Sequence, residues 1–346
     1  MSNINSLAGL GWRAFFQQQL TIDEWEDAVP ARVVEQHRSE LVVATATTTQ
    51  QLPLQHAMTD LVVGDWILLD NSGLFVRSLE RKSCFVRKAP GSQLKKQLIS
   101  ANVDTAFIVC SMNDDFNLSR IERYLSLVHE SGADAVVLLS KSDQCDEPEN
   151  FVRQVQQLDS LLPVLPVNCL NLEMVSELQP WISEGSTIAV MGSSGVGKST
   201  LVNTLMGEQR QDTRGIREDD AKGRHTTTSR SLISLPSGGL ILDTPGMREI
   251  QLVDSREGIS ATFADVESFA ERCRYGDCQH LSEPGCAVLA AIESGAIEQR
   301  RLDNYLKLLR EDAVNSASVA QKRATDKALG KYYKRAQSEG KKLKGR

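Results

Sequence analysis

Gly192 and Gly197, followed directly by Lys198 and Ser199 within GSSGVGKST (Gly192 to Thr200), have the spacing of a loop that surrounds phosphate groups. Backbone N–H groups of such a loop point at the phosphates and its glycines permit close approach. Lys198 would contact the β- and γ-phosphates, and Ser199 would ligate magnesium. Two more segments would complete a nucleotide site. In DTPG, Asp243 follows an apolar run and would hold magnesium through water, while Gly246 is free to present its N–H to a γ-phosphate. In SKSD, the Asp143 carboxylate can accept two hydrogen bonds from guanine N1–H and the N2 amine, which adenine lacks, with Lys141 lying over the base. Ser140 replaces the more usual Asn or Thr, so one stabilising contact is weakened or replaced. VNC at Val167 to Cys169 stands where a small Ser-Ala pair usually backs the base. Alone, DTPG is equally a proline-containing turn. Its position about 45 residues past Lys198, after a β-type run, favours the nucleotide reading.

Between phosphate loop and DTPG runs the polar segment EQRQDTRGIREDDAKGRHTTTSR, with little apolar surface to bury. A plain surface loop is one reading. The hydroxyls of Thr226 to Thr228 could also meet magnesium and the γ-phosphate, with Thr227 the favoured ligand. The residue after DTPG is Met247, whose thioether cannot polarise water. A water-orienting group must come from elsewhere, and His225 is the candidate catalytic residue. A loop histidine that merely faces solvent is the alternative.

Cys273, Cys278, His280 and Cys286 fall within 14 positions. Three thiolates and an imidazole satisfy a tetrahedral zinc ion, and a fully protein-ligated set indicates a structural rather than a catalytic metal. Buried unligated thiols are the alternative. The seven cysteines are odd in number and no export signal precedes them, which argues against a disulfide framework.

These residues need elements to position them. From Arg32 to Arg87, the runs RVVEQ, ELVVATAT, LVVGDWILLD, GLFVRSL and SCFVRK are separated by turn residues, as in a small β-barrel. An OB-type barrel, which binds oligonucleotides, and an SH3-like barrel both fit. Apolar strands then alternate with amphipathic helices. DTAFIVCS, DAVVLLS, PVLPVN and STIAVMG read as strands, and Leu118, Ile121, Leu125 and Val128 share a helical face. This pattern predicts a doubly wound α/β domain with ligands at the C-terminal ends of parallel strands. Beyond Val253 the pattern becomes helical around the cysteine loop. The expected division is an N-terminal extension (1–30), an OB-fold (31–90), a nucleotide domain (100–253), a helical zinc domain (254–312) and a basic tail (313–346).

Composition is that of a globular protein: 346 residues, 24% charged and 41% hydrophobic. No signal peptide or membrane-length apolar run is present, so the expected protein is soluble, cytoplasmic and not membrane-bound; a monomer is the default expectation. The net charge of −6 divides unevenly: residues 321–346 carry +8 and the remainder −14. The basic tail fits either a polyanion such as RNA or a solvated helix.

Ordinary GTPases present the phosphate loop first and the guanine motif last. Here SKSD comes first, so the chain reads as circularly permuted. With GRHTTT, DTPG and the cysteine loop, it resembles the RsgA (YjeQ) family of circularly permuted GTPases over nearly its whole length. That resemblance implies an OB-fold, a permuted P-loop GTPase domain and a C-terminal zinc domain. It also implies a cytoplasmic protein that binds the small (30S) ribosomal subunit late in maturation and hydrolyses GTP to GDP faster when bound. Carried over, it makes Lys141 and Asp143 guanine contacts, Gly192 to Thr200 (Ser193, Ser194, Gly195 and Val196 included) the phosphate site, His225 the catalytic histidine, and Cys273, Cys278, His280 and Cys286 the zinc ligands. Ser142 lies within the same guanine-reading segment. A ribosome-activated GTPase gripping rRNA is the leading reading; a GTP-gated RNA-binding scaffold without important turnover is the alternative. An ATP-dependent kinase or ATPase is disfavoured by SKSD.

Overall fold

The computed structural model describes residues 6–88, 96–207, 230–243 and 252–317. Two short helices come first, α1 (Ala14–Gln17) and α2 (Ile22–Asp27). Thr21 starts α2 with a reciprocal cap: its hydroxyl accepts from Glu24 N, and its own N–H donates to the Glu24 carboxylate. Five antiparallel strands follow: β1 (Val29–Gln36), β2 (Glu40–Ala44), β3 (Thr49–Pro53), β4 (Trp66–Leu69) and β5 (Phe75–Ser78). Their ladder order is β3-β2-β1-β4-β5, a curled antiparallel sheet of the kind a small β-barrel is built from. Between β3 and the turn into β5, the Gln50 side-chain amide donates to the Gly73 carbonyl at 3.0 Å.

Alternation sorts the barrel side chains. Ala31, Val33, Leu41, Val43, Ile67 and Leu69 form its interior. Trp66 and Leu68 face outward and are covered by the N-terminal segment, where Trp12 meets Trp66 edge-on with centroids 4.8 Å apart.

A two-stranded ladder of β6 (Cys84–Lys88) and β7 (Lys96–Ala101) leads into the α/β region. There β8 (Thr105–Ser111), α3 (Leu118–Ser131), β9 (Asp134–Ser140), α4 (Pro148–Gln156), β10 (Val164–Val167), α5 (Glu173–Glu177), β11 (Thr187–Met191), α6 (Lys198–Met206), β12 (Arg230–Ser234) and β13 (Leu240–Asp243) follow in order. Strands β10-β9-β8-β11-β13 are parallel neighbours, and β12 runs antiparallel beside β13. On β8, Ala106, Ile108 and Cys110 enter one core while Phe107 and Val109 enter the other. A parallel sheet covered on both faces needs this apolar character on both sides. The β12 edge also pairs with β1, through Glu35 opposite Ser231 and Gln36 opposite Arg230, so one sheet runs from the nucleotide region into the barrel.

The last elements are α7 (Arg256–Thr262), α8 (Ala264–Ala270), α9 (Ala287–Glu293) and α10 (Gln299–Ser316). The apolar pattern over 287–309 is interrupted between α9 and α10, where Gly295 takes φ 76°. Arg301 and Glu122 lie buried where α10 crosses α3. Among the described residues, no helix is long and apolar enough to cross a membrane.

Candidate functional site

Strands β8 and β11 are adjacent and parallel, yet the helices that follow them cover opposite faces. Ile121 and Leu125 of α3 belong to one core, Leu201 and Leu205 of α6 to the other. Such a reversal opens a crevice at the C-terminal strand ends, where ligands bind in α/β sheets. Gly192 to Gly197 emerge at that point from β11, and Gly197 is the N-cap of α6. Two glycines are required by the path. Gly192 has φ 142° and a Cβ there would stand 2.3 Å from the Val109 carbonyl; Gly197 has φ 95°. Ser194 and Gly195 are exposed and Val196 is buried, so the loop is anchored by Val196 and open at its tip. The Lys198 ammonium donates to the Ser193 carbonyl, and Ser199 and Thr200 continue the first turn of α6.

SKSD ends β9, two strands away. Ser140 is 1% exposed and its hydroxyl donates to the Val196 carbonyl at 2.6 Å. Lys141 adopts a left-handed conformation (φ 62°), and Ser142 and Asp143 form the following 3-10 turn with Asp143 exposed. Cys169, after β10, packs beside this turn. Burial and then the Asp143 charge push its thiol up to about 11, so it stays neutral. Its carbonyl accepts from Thr204 of α6 at 2.6 Å, tying the VNC segment to the phosphate-loop helix.

Two residues absent from the sequence-based site join it. Arg120 on α3 donates to Asp115 Oδ2 at 2.7 Å and to Ser193 Oγ at 3.0 Å, and Ser193 Oγ donates to the same carboxylate at 3.1 Å. The hydrogen bond from Arg120 holds the Asp115 carboxyl below its ordinary range, against a smaller opposing effect of burial. Their signal was position: Asp115 follows the C-terminal end of β8, where a switch-point ligand would sit. Asp243 ends β13, level with these loops. Gly246, His225 and Thr227 lie outside the described residues.

The second site is the cysteine loop, where the ligand atoms of Cys273, Cys278, His280 and Cys286 all lie within 4.8 Å of one another. His280 Nδ1 is 3.6 Å from Cys273 Sγ and 3.4 Å from Cys286 Sγ, and the two sulfurs are 3.8 Å apart. A tetrahedral ion with metal–sulfur distances of about 2.3 Å has ligand–ligand edges of about 3.8 Å. The donor set thus fits a metal ion in type and spacing. Backbone N–H groups of Ala287 and Leu289 donate to the Cys273 and Cys286 sulfurs. Glu283 fixes the intervening loop by accepting from Gln279, Leu281 and Ser282 N–H, bonds that hold its carboxyl at about 2.

A family model described as RsgA GTPase matches residues 78–253. The small ribosomal subunit biogenesis GTPase RsgA 2 of Vibrio parahaemolyticus is 55% identical over 342 residues, covering 99% of this chain and 96% of the relative. The small ribosomal subunit biogenesis GTPase RsgA of Xanthomonas oryzae pv. oryzae is 43% identical over 324 residues, covering 91% and 86%. Two solved structures share the fold. YjeQ from Thermotoga maritima has a TM-score of 0.61 at 24% identity, covering 82% of this chain and 98% of that one. The circularly permuted GTPase YloQ has a TM-score of 0.60 at 21% identity, covering 84% and 96%.

Proposed function

The chain belongs to the RsgA GTPase family, and from that premise we propose that it hydrolyses GTP to GDP and phosphate in a cycle driven by the small ribosomal subunit. One observation supports this most directly: the bond from Ser140 to Val196 fastens a guanine-type motif to a phosphate loop at the switch point of the sheet. Asp143 and Lys141 read the base, Gly192 to Thr200 hold the phosphates, and Ser199 and Thr227 ligate magnesium. Asp243 and Gly246 meet magnesium and the γ-phosphate, and His225 orients the attacking water. Cys273, Cys278, His280 and Cys286 hold one structural zinc ion that fixes the loop ahead of α9. The five-stranded barrel and the zinc module grip rRNA in the cytoplasm, the monomer docks with GTP during late subunit maturation, and hydrolysis drives release.

The test is GTP turnover by the purified full chain, alone and with isolated small or large ribosomal subunits. Slow turnover alone and acceleration by small subunits is the expected result. Equal rates with and without every ribosomal particle would remove the proposal.

A further inference from the structure

The geometry points to Arg120 as a positioning residue for hydrolysis, acting through Ser193, and to α3 as the rigid link by which the C-terminal cysteine–histidine module reaches the phosphate loop. The inference rests on the reading of the chain as a subunit-stimulated GTPase. At its N-terminal end, α3 is capped by Asn117, whose side chain accepts from Arg120 N at 3.0 Å. The Arg120 guanidinium, Asp115 carboxylate and Ser193 hydroxyl close a triangle with edges of 2.7, 3.0 and 3.1 Å. Lys198 takes the Ser193 carbonyl. The second residue of the phosphate loop is therefore held from inside by the loop's own lysine and from outside by α3.

The remainder of α3 is bound to the C-terminal module. Both oxygens of Glu122 are occupied by Arg300 (2.9 and 3.1 Å) and one also by Arg301 (2.9 Å), and Arg301 continues to Asp265 of α8 at 2.6 and 2.7 Å. Arg123 makes a two-pronged pair with Glu311. Farther along, Ser126 and His129 meet Thr262, and Glu130 accepts from Gly258 N at 2.8 Å. The two helices touch so closely there that a Cβ on Gly258 would lie 2.1 Å from the Ser126 carbonyl. A 14-residue helix is about 21 Å long and moves as one body. A shift of the module by more than about half an ångström along this bond carries Arg120 out of hydrogen-bond range of Ser193. Misplacement of reacting groups by about 1 Å costs on the order of a hundredfold in rate.

The experiment measures GTP turnover of the metal-loaded full chain, alone and with saturating small subunits, for wild type, Arg120→Ala, Arg120→Lys, Arg300→Gln and Glu311→Gln. Each variant is also checked by thermal unfolding and by co-sedimentation with the subunit. Arg120→Ala is expected to lower stimulated kcat on the order of tenfold with KM little changed, and Arg120→Lys to recover part of it. Arg300→Gln and Glu311→Gln are expected to keep the unstimulated rate and subunit binding, yet lose most of the stimulation. Full stimulation of the Arg120→Ala, Arg300→Gln and Glu311→Gln variants, with wild type also stimulated, would overturn this inference alone. An unstimulated wild type would overturn the functional reading as well.

Discussion

The Ser140 hydroxyl donates to the Val196 carbonyl at 2.6 Å, joining the end of β9 to the phosphate loop two strands away. Both residues are buried. Removing the hydroxyl leaves a buried carbonyl unpaired, which costs about 1–3 kcal/mol. Ser140→Ala should lower the melting temperature by several degrees, and loosening of the loop should weaken GDP binding by roughly tenfold or less. Thermal unfolding and titration with a fluorescent GDP analogue read both, and unchanged values would show that the bond carries neither function.

The Asp143 carboxylate, proposed above to read the base, sits exposed on the 3-10 turn after β9, and among the described residues no hydrogen bond engages it. Two bonds to a charged acceptor are worth about 1.5–3 kcal/mol each. Asp143→Asn should cut GTP affinity by at least about tenfold and shift preference toward xanthosine triphosphate, whose ring offers an acceptor where guanine has its amine. Competition between the two nucleotides decides it; retained guanine preference would move base recognition elsewhere.

How much of this site could be read beforehand depended on whether the information was local. GSSGVGKST, SKSD and the cysteine loop carry their chemistry within a few residues, and the strands that lead into the first two were visible as apolar runs. The pairing of β1 with β12 joins Gln36 to Arg230 across almost two hundred positions, and no periodicity marks such a partner. Asp115 and Arg120 were hidden for a related reason. An Asp and an Arg at the start of an amphipathic helix are ordinary surface composition until the fold brings Ser193 against them. The role of Ser140 depended likewise on a carbonyl contributed by another strand's loop.

His129 supplies a pH dependence. Its ring lies between α3 and α7 with Nδ1 3.1 Å from Thr262 Oγ1, and burial lowers its pKa, opposed in part by the charge of Asp159. The unfolded value is about 6.5, so between that and the lower folded value the unfolded chain binds more protons. Stability from this residue is complete above about pH 7 and is lost as pH falls through the folded pKa. His129→Gln should flatten the fall in melting temperature between about pH 7 and pH 5 relative to wild type. Parallel curves for the two proteins would exclude the histidine as a source of it.

The loop of three cysteines and one histidine should be an obligate metal site. Its four ligand atoms cluster between the end of α8 and the start of α9, where little apolar core is available to hold the loop. Chelation, or Cys286→Ser, should release one zinc ion per chain and reduce helical circular dichroism, while Asp143-dependent guanine binding persists at the distant site. Metal analysis of the purified protein together with far-ultraviolet spectra tests this. A metal-free chain with unchanged spectrum and melting behaviour would show that the cluster is a set of packed thiols.

Glu122 is fully buried and Arg301 is 6% exposed at its side chain, so their ion pair is judged by desolvation rather than by charge alone. A buried pair gains little over an apolar pair of similar volume, yet removing one member strands the other at a cost of about 3–5 kcal/mol. Here the geometry is well satisfied: Asn304 also donates to Glu122, and Arg301 has Asp265 and the Thr262 carbonyl. Glu122→Leu should therefore be strongly destabilising, while Glu122→Leu combined with Arg301→Met should recover part of the loss. A double-mutant cycle from urea unfolding gives the coupling directly. Additive losses would mean that the pair does not act as a unit, and that α10 is held on α3 by Leu302, Tyr305 and Leu308 of the apolar core instead.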